Sequence, residues 1–152
     1  MGLESTIVRQ DGSDVLLLRP GALPVEDIEA CLGRSLKLRQ AGPIDAPGQM
    51  ASHYAPNAAL RLNANEAAEG ERYLGFGPIP AGADGLSLSE AENLREAAAN
   101  LFDYLRRLDQ EAAEHGATGI AVSPIPDHHL GRAINDRLRR AAAPRASQTL
   151  ND

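Results

Sequence analysis

The chain has 152 residues, of which 43% are apolar and 24% charged, so it is long enough for one ordinary domain with an additional segment but too short for two full domains. This composition excludes an intrinsically disordered chain, and the single cysteine, Cys31, excludes an internal disulfide and suits a reducing cytoplasm. The net charge of −6 argues against a broad electrostatic grip on nucleic acid, and no apolar run is long enough to predict a membrane span.

Residues 1–41, called the arm below, predict a β-hairpin followed by a short helix. Two β-prone runs, Glu4–Val8 and Val15–Leu18, flank an Asp-Gly pair that is typical of a hairpin turn. Pro24 predicts the start of the helix, and Gly33 predicts its C-terminal cap. An isolated hairpin is only marginally stable in water, so we expect the arm to need a partner surface.

Residues 42–59 have the composition of an ordered, extended linker. They contain several prolines, and a residue that precedes proline is pushed towards extended backbone. This stiff segment carries His53 and Tyr54 next to each other. From spacing alone, the favoured interpretation is a spacer whose Tyr54 ring covers apolar surface, because one His-Tyr pair has no mechanism of its own.

From residue 60 the pattern changes to alternating strands and helices. Four β-prone runs are bounded mostly by Gly, Pro or Asn: residues 60–63, 72–76, 85–89 and 118–123. Ser89 and Glu92 form a predicted capping box at the start of a long amphipathic helix that Gly116 ends, and a second amphipathic helix stops before Pro144. The alternation predicts an α/β fold, a mostly parallel sheet with flanking helices in a Rossmann-like, three-layer arrangement. Ligand crevices are expected beyond the C-termini of the strands.

Three local features have a chemical interpretation beside a structural one. The segment Gly75-Phe76-Gly77 resembles half of a phosphate-binding turn, but a plain turn is favoured because no third glycine or Gly-Lys-Ser/Thr follows. His128 and His129 are adjacent in a loop, where their side chains would diverge, so a metal site is disfavoured. An exposed helix face is favoured over tRNA contact for five arginines near the C-terminus, which are Arg132, Arg137, Arg139, Arg140 and Arg145.

Four motifs together resemble long-form threonylcarbamoyl-AMP synthases, in the order that this family shows. They are GLESTIV at residues 2–8, LLLRPG at 16–21, APGQMASHYAP at 46–56 and LGRAINDRLRRAA at 130–142. The resemblance implies an N-terminal YrdC-like catalytic domain, an ordered linker and a Rossmann-like C-terminal domain. The family makes threonylcarbamoyl-AMP and pyrophosphate from threonine, bicarbonate and ATP, and the product serves tRNA threonylcarbamoyladenosine modification.

The resemblance also implies a role for each segment of this chain. The segments are the arm as the remnant of the catalytic domain, the linker at 42–59, the Rossmann-like domain at 60–145 and a tail at 146–152. By resemblance, Ser5 binds threonine, while Arg19, His53 and Tyr54 bind ATP, and the residues present supply no catalytic group and no metal ligand. A hydroxyl suits an amino acid, and a guanidinium suits phosphate oxygens. The structural alternative is that Ser5 is a strand hydroxyl and Arg19 an exposed turn residue.

The linker departs from the family pattern directly after its Pro-Gly pair. The family often has Met, Lys and an aromatic residue where this chain has Gln49, Met50 and Ala51. The loss of the basic and aromatic side chains weakens the expectation that the linker grips nucleotide.

We therefore expect the C-terminal fragment of a cytoplasmic threonylcarbamoyl-AMP synthase. On its own it should be catalytically silent and need no cofactor, because the full-length family supplies the site for ATP, with Mg. The expected partner is the missing YrdC-like domain or a second copy that pairs through residues 3–32; tRNA contact has weak support and a membrane none. The alternative is a free-standing α/β binding or oligomerisation module, whose arm adds a strand to another chain.

Overall fold

The computed structural model describes residues 3–39 and 55–143. Its elements in chain order are β1 (Ile7–Asp11), β2 (Asp14–Arg19), α1 (Val25–Leu32), β3 (Lys37–Leu38), β4 (Leu60–Arg61), β5 (Glu71–Gly75), β6 (Gly85–Ser87), α2 (Leu94–His115), β7 (Gly119–Val122) and α3 (Leu130–Ala142). Each predicted strand and helix has a counterpart. The structure also contains one strand that was not predicted, β3, which is only two residues long and has no sequence pattern that indicates it.

The arm forms a three-stranded sheet in the order β1-β2-β3. The hairpin β1–β2 is antiparallel, as predicted, and β3 joins β2 in parallel. The first strand begins at Ile7 rather than at Glu4, because Glu4 instead accepts a hydrogen bond from the backbone N–H of Ala22 at 2.8 Å. Helix α1 ends at Gly33, whose left-handed conformation (φ 66°) confirms the predicted cap.

The second sheet has the strand order β4-β7-β5-β6, and all of its pairings are parallel. Helix α2 connects β6 to β7, and α3 follows β7. The central strand β7 is buried along its whole length, as expected of a strand between two neighbours in a parallel sheet. This arrangement confirms the predicted α/β class with a parallel sheet and flanking helices.

The two faces of this sheet are covered differently. Leu74, Ile120 and Val122 belong to the main core, which also contains the buried leucines of α2 and α3. Tyr73 and Ala121 point to the other face, where the main neighbour is Ala64 in a connecting segment. The Tyr73 hydroxyl donates to the carbonyl of Ala64 at 3.1 Å. Helices α2 and α3 contact each other and cover the first face of the sheet. Within residues 55–143, connecting segments rather than helices cover the second face.

The start of α2 differs from the prediction. The helix is capped by Asn93, whose side-chain oxygen accepts hydrogen bonds from the backbone N–H groups of Arg95 and Glu96, both at 3.0 Å. Glu92 has a positive φ of 57° and precedes the helix, so the predicted Ser89–Glu92 capping box is wrong. Ser89 contributes in another way, because its hydroxyl accepts from the backbone N–H of Asn93 at 3.0 Å.

The arm contacts the α/β domain directly, which the sequence did not predict. Leu3 packs against the main core, and Glu4 lies 3.5 Å from Arg140 on α3. Glu26 on α1 lies 3.4 Å from Arg132 at the other end of α3. The expected need of the arm for a partner surface is thus met in part within the chain. None of the helices in the described ranges is long and apolar enough to cross a membrane.

Candidate functional site

The structure brings together the two arm residues to which the resemblance gives a role. The Nε and Nη2 groups of Arg19 donate to the carbonyl oxygen of Ser5 at 3.2 and 2.9 Å, and Nη2 lies 3.2 Å from the Ser5 hydroxyl. Arg19 is only 8% exposed, so its alternative interpretation as an exposed turn residue is wrong. Ser5 is exposed, which leaves its hydroxyl accessible to a ligand.

Gly21 explains why these residues meet. Its Cα lies so close to the segment from Glu4 to Thr6 that an added Cβ would collide with their backbone. The glycine after the Arg-Pro pair therefore lets the ESTIV segment lie directly beside the end of β2, where Arg19 is the last residue. The hydrogen bond from Ala22 to the Glu4 carbonyl fixes this contact.

A carboxylate links this pair to the α/β domain. The Oε2 atom of Glu4 lies 3.3 Å from Nη1 of Arg19 and 3.5 Å from Nη2 of Arg140. Arg140 also pairs with Asp136, one turn earlier on α3, at 2.8 Å. Ser5, Arg19, Glu4, Arg140 and Asp136 thus form a continuous polar row across the boundary between the arm and α3.

A second contact joins the arm to the start of α3. Oε1 of Glu26 lies 3.4 Å from Nη2 of Arg132 and accepts a hydrogen bond from the backbone N–H of His129 at 3.1 Å. Burial raises the pKa of Glu26. Two influences lower it by more: the hydrogen bonds that its carboxylate accepts from its own backbone N–H and from that of His129, and the nearby charges of Arg132 and His129. The pKa of Glu26 is therefore held below its ordinary value of 4.5, and the carboxylate stays charged.

The adjacent histidines His128 and His129 contact each other, so the prediction that their side chains diverge is wrong. Their Nδ1 atoms are 3.1 Å apart, and the rings meet edge to face with centroids 5.2 Å apart. Within residues 3–39 and 55–143, no group of three His, Cys, Asp or Glu side chains is arranged to hold a metal ion.

Beyond the C-terminus of β5, the glycine turn is hydrogen-bonded within the domain. The backbone N–H of Phe76 donates to the Ser123 hydroxyl at 2.7 Å, and the N–H of Gly77 donates to the carbonyl of Ser89 at 2.8 Å. The Ser87 hydroxyl donates to the Gly77 carbonyl at 2.7 Å. The Gly75-Phe76-Gly77 turn therefore has two backbone donors engaged inside the domain rather than turned towards a phosphate.

A cavity of about 570 Å³ lies instead at the opposite end of the sheet, beside the strand N-termini and the end of α2. Its lining includes the carboxylates of Glu66, Glu69, Glu71 and Asp84. Arg61 donates to Glu71 at 3.0 and 2.7 Å, and this hydrogen bond outweighs burial and lowers the pKa of Glu71. The acidic lining disfavours nucleotide phosphates, and this cavity does not lie at the strand C-termini, where a ligand crevice was expected.

The remaining candidates divide into those that the structure places and those outside the described residues. His53 and Tyr54, with the departures Gln49, Met50 and Ala51, lie outside them, as does Arg145. Arg137 is 3% exposed and stacks over the Phe102 ring at 4.9 Å, so it is a core residue. Of the other C-terminal arginines, Arg132 and Arg140 bind carboxylates and Arg139 is exposed. The exposed-face interpretation therefore holds for Arg139 and is wrong for Arg137.

The sequence did not predict the ion pairs by which Glu4 and Glu26 of the arm contact arginines of α3. A signal was present on α3, because Arg132, Asp136 and Arg140 recur every fourth residue and so share one helix face. A charged stripe at this spacing usually faces solvent, and nothing local indicates that it faces the arm.

The fold and these contacts define an α/β domain with a β-hairpin arm docked on its last helix. The family model for the C-terminal domain of threonylcarbamoyl-AMP synthase matches residues 23–143, and the chain belongs to this family. The resemblance drawn from the four motifs is thereby confirmed.

Among curated proteins, the chain is similar to the threonylcarbamoyl-AMP synthases of Pyrococcus abyssi, with 29% identity over 165 residues, and Bacillus subtilis, with 30% over 166. These matches cover 95% of the chain but 47% and 46% of the relatives, so the chain spans about half their length.

Two solved structures of the archaeal relative are also similar. The crystal structure of P. abyssi Sua5 complexed with L-threonine matches with a TM-score of 0.73 and 27% identity, over 93% of this chain and 46% of that one. A variant in which a consecutive histidine and tyrosine are both replaced by alanine matches with a TM-score of 0.69 and 26% identity, over 93% and 45%.

Proposed function

We propose that this chain acts as the C-terminal part of a threonylcarbamoyl-AMP synthase and contributes Ser5 to the threonine site and Arg19 to the ATP site. The observation that carries the proposal is the direct contact of these two motif residues, with Nη2 of Arg19 at 3.2 Å from the Ser5 hydroxyl. Membership of the family and a relative whose structure holds L-threonine support it.

The chemistry assigns each side chain a separate task. The exposed hydroxyl of Ser5 donates to, or accepts from, the polar groups of the amino acid. The guanidinium of Arg19 is always charged and forms paired hydrogen bonds to phosphate oxygens, which suits ATP and the pyrophosphate that leaves. His53 and Tyr54 are proposed to contribute to the ATP site, as the resemblance implies, and a consecutive His-Tyr pair is the one replaced in the P. abyssi variant.

These groups are too few to form the adenylate by themselves. Threonine and bicarbonate must combine to a carbamate with loss of water, and the carbamate oxygen then attacks the α-phosphate of ATP and displaces pyrophosphate. The charge of the triphosphate calls for several positive groups, and Mg²⁺ would supply part of that charge. The described part of the α/β domain offers an acidic cavity and an occupied glycine turn, which do not suit phosphate. The chain alone is therefore proposed to be silent and to bind no ATP at sub-millimolar concentration.

The proposed partner is the remaining half of the enzyme, which would cover the exposed apolar side chains of the arm. The large apolar side chains that are exposed in the described residues all lie in the arm: Val8 (42%), Leu23 (53%), Leu32 (44%) and Leu38 (70%). The relatives are about twice as long as this chain, which gives a source for the missing cover. A second copy of this chain, acting as a free-standing module, is the alternative occupant.

We place this activity in the cytoplasm, which suits the single free cysteine, and in the pathway that modifies tRNA. The tRNA itself is not proposed as a partner of α3. Two of its arginines bind carboxylates and a third stacks in the core, which leaves little positive charge for a nucleic-acid backbone.

The test is pyrophosphate release with ATP, threonine and bicarbonate. The chain is assayed alone and after mixing with the part of the P. abyssi relative that the present match does not cover. We expect threonine-dependent release only from the mixture, reduced about fivefold by Ser5→Ala, since one lost hydrogen bond costs about 1 kcal/mol. Ser13→Ala, in the exposed hairpin turn, is the matched control.

Two outcomes would contradict the proposal. Sustained release of pyrophosphate by the chain alone would mean that the complete site lies within it. A mixture that releases no pyrophosphate would contradict the assignment of Ser5 to the threonine site and Arg19 to the ATP site. Light scattering on the chain alone distinguishes the partners, because a concentration-dependent dimer that Leu38→Asp abolishes favours the second copy.

A further inference from the structure

One face of α3 carries alternating charges that meet the arm at two points. Arg132, Asp136 and Arg140 recur every fourth residue, and Arg132 and Arg140 are therefore about 12 Å apart along the helix. Glu26 of the arm binds the first of these arginines, and Glu4 binds the last. The Glu4 end is chemically distinct, because its carboxylate also holds the guanidinium of Arg19.

We propose that Arg140 is a positioning residue for the Arg19–Ser5 pair and acts through the carboxylate of Glu4. In this role the α/β domain sets the orientation of a guanidinium in the synthase site, although no residue of α3 touches substrate. Its functional meaning rests on the function proposed above, whereas the structural link from Arg140 to Arg19 does not.

The geometry supports an orienting role for Glu4. The guanidinium of Arg19 is a planar fork, and its Nε and Nη2 edge is engaged by the carbonyl of Ser5 at 3.2 and 2.9 Å. Its Nη1 lies 3.3 Å from Glu4, so the two partners together fix the plane of the fork. Without Glu4, Arg19 would keep the Ser5 contact but lose this ion pair at Nη1.

Glu4 itself needs a restraint, because its side chain is 34% exposed and has several rotamers of similar energy. Arg140 supplies this restraint at 3.5 Å. Its own side chain is only 14% exposed and is held by Asp136 at 2.8 Å, one turn earlier on the same helix. The row therefore runs from α3 to a partly exposed carboxylate and then to a buried guanidinium.

A purely structural role for Arg140 must be separated from this positioning role. Arg140 could simply stabilise α3 through its pair with Asp136, and in that case Arg19 would not respond to its loss. The response of Arg19 itself is thus the required readout.

The experiment follows the Arg19 Nε–H signal of the complete chain by NMR with ¹⁵N-arginine labelling, without substrate. We expect Arg140→Ala to shift this signal and to accelerate the exchange of its proton at least threefold, and Arg140→Lys to restore most of the effect. Arg139→Ala removes the neighbouring exposed arginine and is expected to change nothing. Glu4→Gln keeps the side-chain shape and should reproduce the Arg140→Ala result, which provides a second variant if Arg140→Ala does not fold.

The proposal is overturned if Arg140→Ala, folded by its circular dichroism, and Glu4→Gln both leave the Arg19 signal as it is in Arg139→Ala. In the pyrophosphate assay with the supplied N-terminal part, Arg140→Ala should lower threonine-dependent kcat/KM about threefold and Arg140→Lys should recover most of it. A mixture that is silent with the unaltered chain contradicts the proposed function, while the NMR result still decides the link between Arg140 and Arg19.

Discussion

The arm and the α/β domain both contain large apolar side chains but bury them to different extents. In the α/β domain, the largest side chains of the main core are completely buried, among them Leu74, Leu101, Leu108 and Ile134. In the arm, Leu32 and Leu38 are largely exposed although they lie in or beside regular elements. The comparison shows that a domain closes its own core, whereas the arm has the secondary structure of a domain without enough neighbours to cover it.

The contact between the two regions also differs in kind from the core of either. Leu3 supplies an apolar contact, while Glu4 and Glu26 supply ion pairs with arginines of α3. Exposed ion pairs contribute roughly 0.2 to 1 kcal/mol each, compared with about 1.5 to 3 kcal/mol for a fully buried leucine. The arm is therefore expected to undock under conditions that leave the α/β domain folded.

The largest expected effect concerns the core of the α/β domain. Leu101→Ala removes a completely buried side chain on α2 and should lower the free energy of unfolding by about 2 to 5 kcal/mol. Leu38→Ala, in the arm, removes a side chain that is 70% exposed and should change it by less than about 0.5 kcal/mol. Urea unfolding of both variants measures the difference. Equal losses would mean that Leu38 is covered in solution and that the contrast between the regions is false.

The next effect should be confined to the arm. Gly21→Ala places a Cβ against the backbone of Glu4 and Thr6, which must move apart, at a cost of about 1 to 3 kcal/mol. Hydrogen exchange should rise in residues 3–32 and stay unchanged in α2, because the collision lies inside the arm. Ala22→Ser, at the exposed neighbouring position, is the control. Equal deprotection of α2 would show that the two regions unfold as one unit.

A smaller effect is expected at the start of α2. Asn93→Ala removes the side chain that accepts from the N–H groups of Arg95 and Glu96, and should cost about 1 kcal/mol. Thermal unfolding measures this loss, with Glu90→Ala as the control on the exposed segment before the helix. An unchanged melting temperature in Asn93→Ala would mean that another group caps α2.

The same helix start shows what the sequence could and could not predict. Except for β3, the elements of both regions follow from apolar periodicity and from glycines such as Gly33 and Gly116, because these signals are local. The choice of Asn93 over Ser89 as cap was missed, because both residues suit a cap and the tertiary fold places Ser89 one turn too early. The sequence therefore indicated that a helix begins in this region, but not which residue caps it.

The two arm residues of the candidate site were named from the motifs, but their contacts with the rest of the chain were not predicted. Ser5 and Arg19 follow from the motifs, whereas their link to Arg140 joins residues 136 positions apart through Glu4. The contact between Glu26 and the backbone of His129 spans 103 positions. No local pattern encodes such pairs, because they form only when the arm and α3 have already folded.

The smallest effect tests the Glu26 contact by pH. Because the pKa of Glu26 is held below its ordinary value of 4.5, its stabilising contribution is complete above that pH and is lost as the pH falls through the folded-state pKa. Glu26→Gln should weaken docking by roughly 0.2 to 1 kcal/mol at pH 7, which corresponds to at most about fivefold faster exchange of the arm's amide protons. Asp27→Asn, next to it on the exposed side of α1, is the matched control.

Acid also protonates Glu71, whose pKa is lowered inside the α/β domain by the hydrogen bond from Arg61, so the two carboxylates must be separated. In the unaltered chain, exchange in the arm relative to α2 should rise as the pH falls below 4.5. In Glu26→Gln this rise should be smaller, because its glutamine has no charge to lose, while Glu71→Gln should leave it unchanged. If Glu26→Gln keeps the full acid response, the ion pair with Arg132 does not hold the arm, and Leu3 and the Glu4 contact must carry the docking.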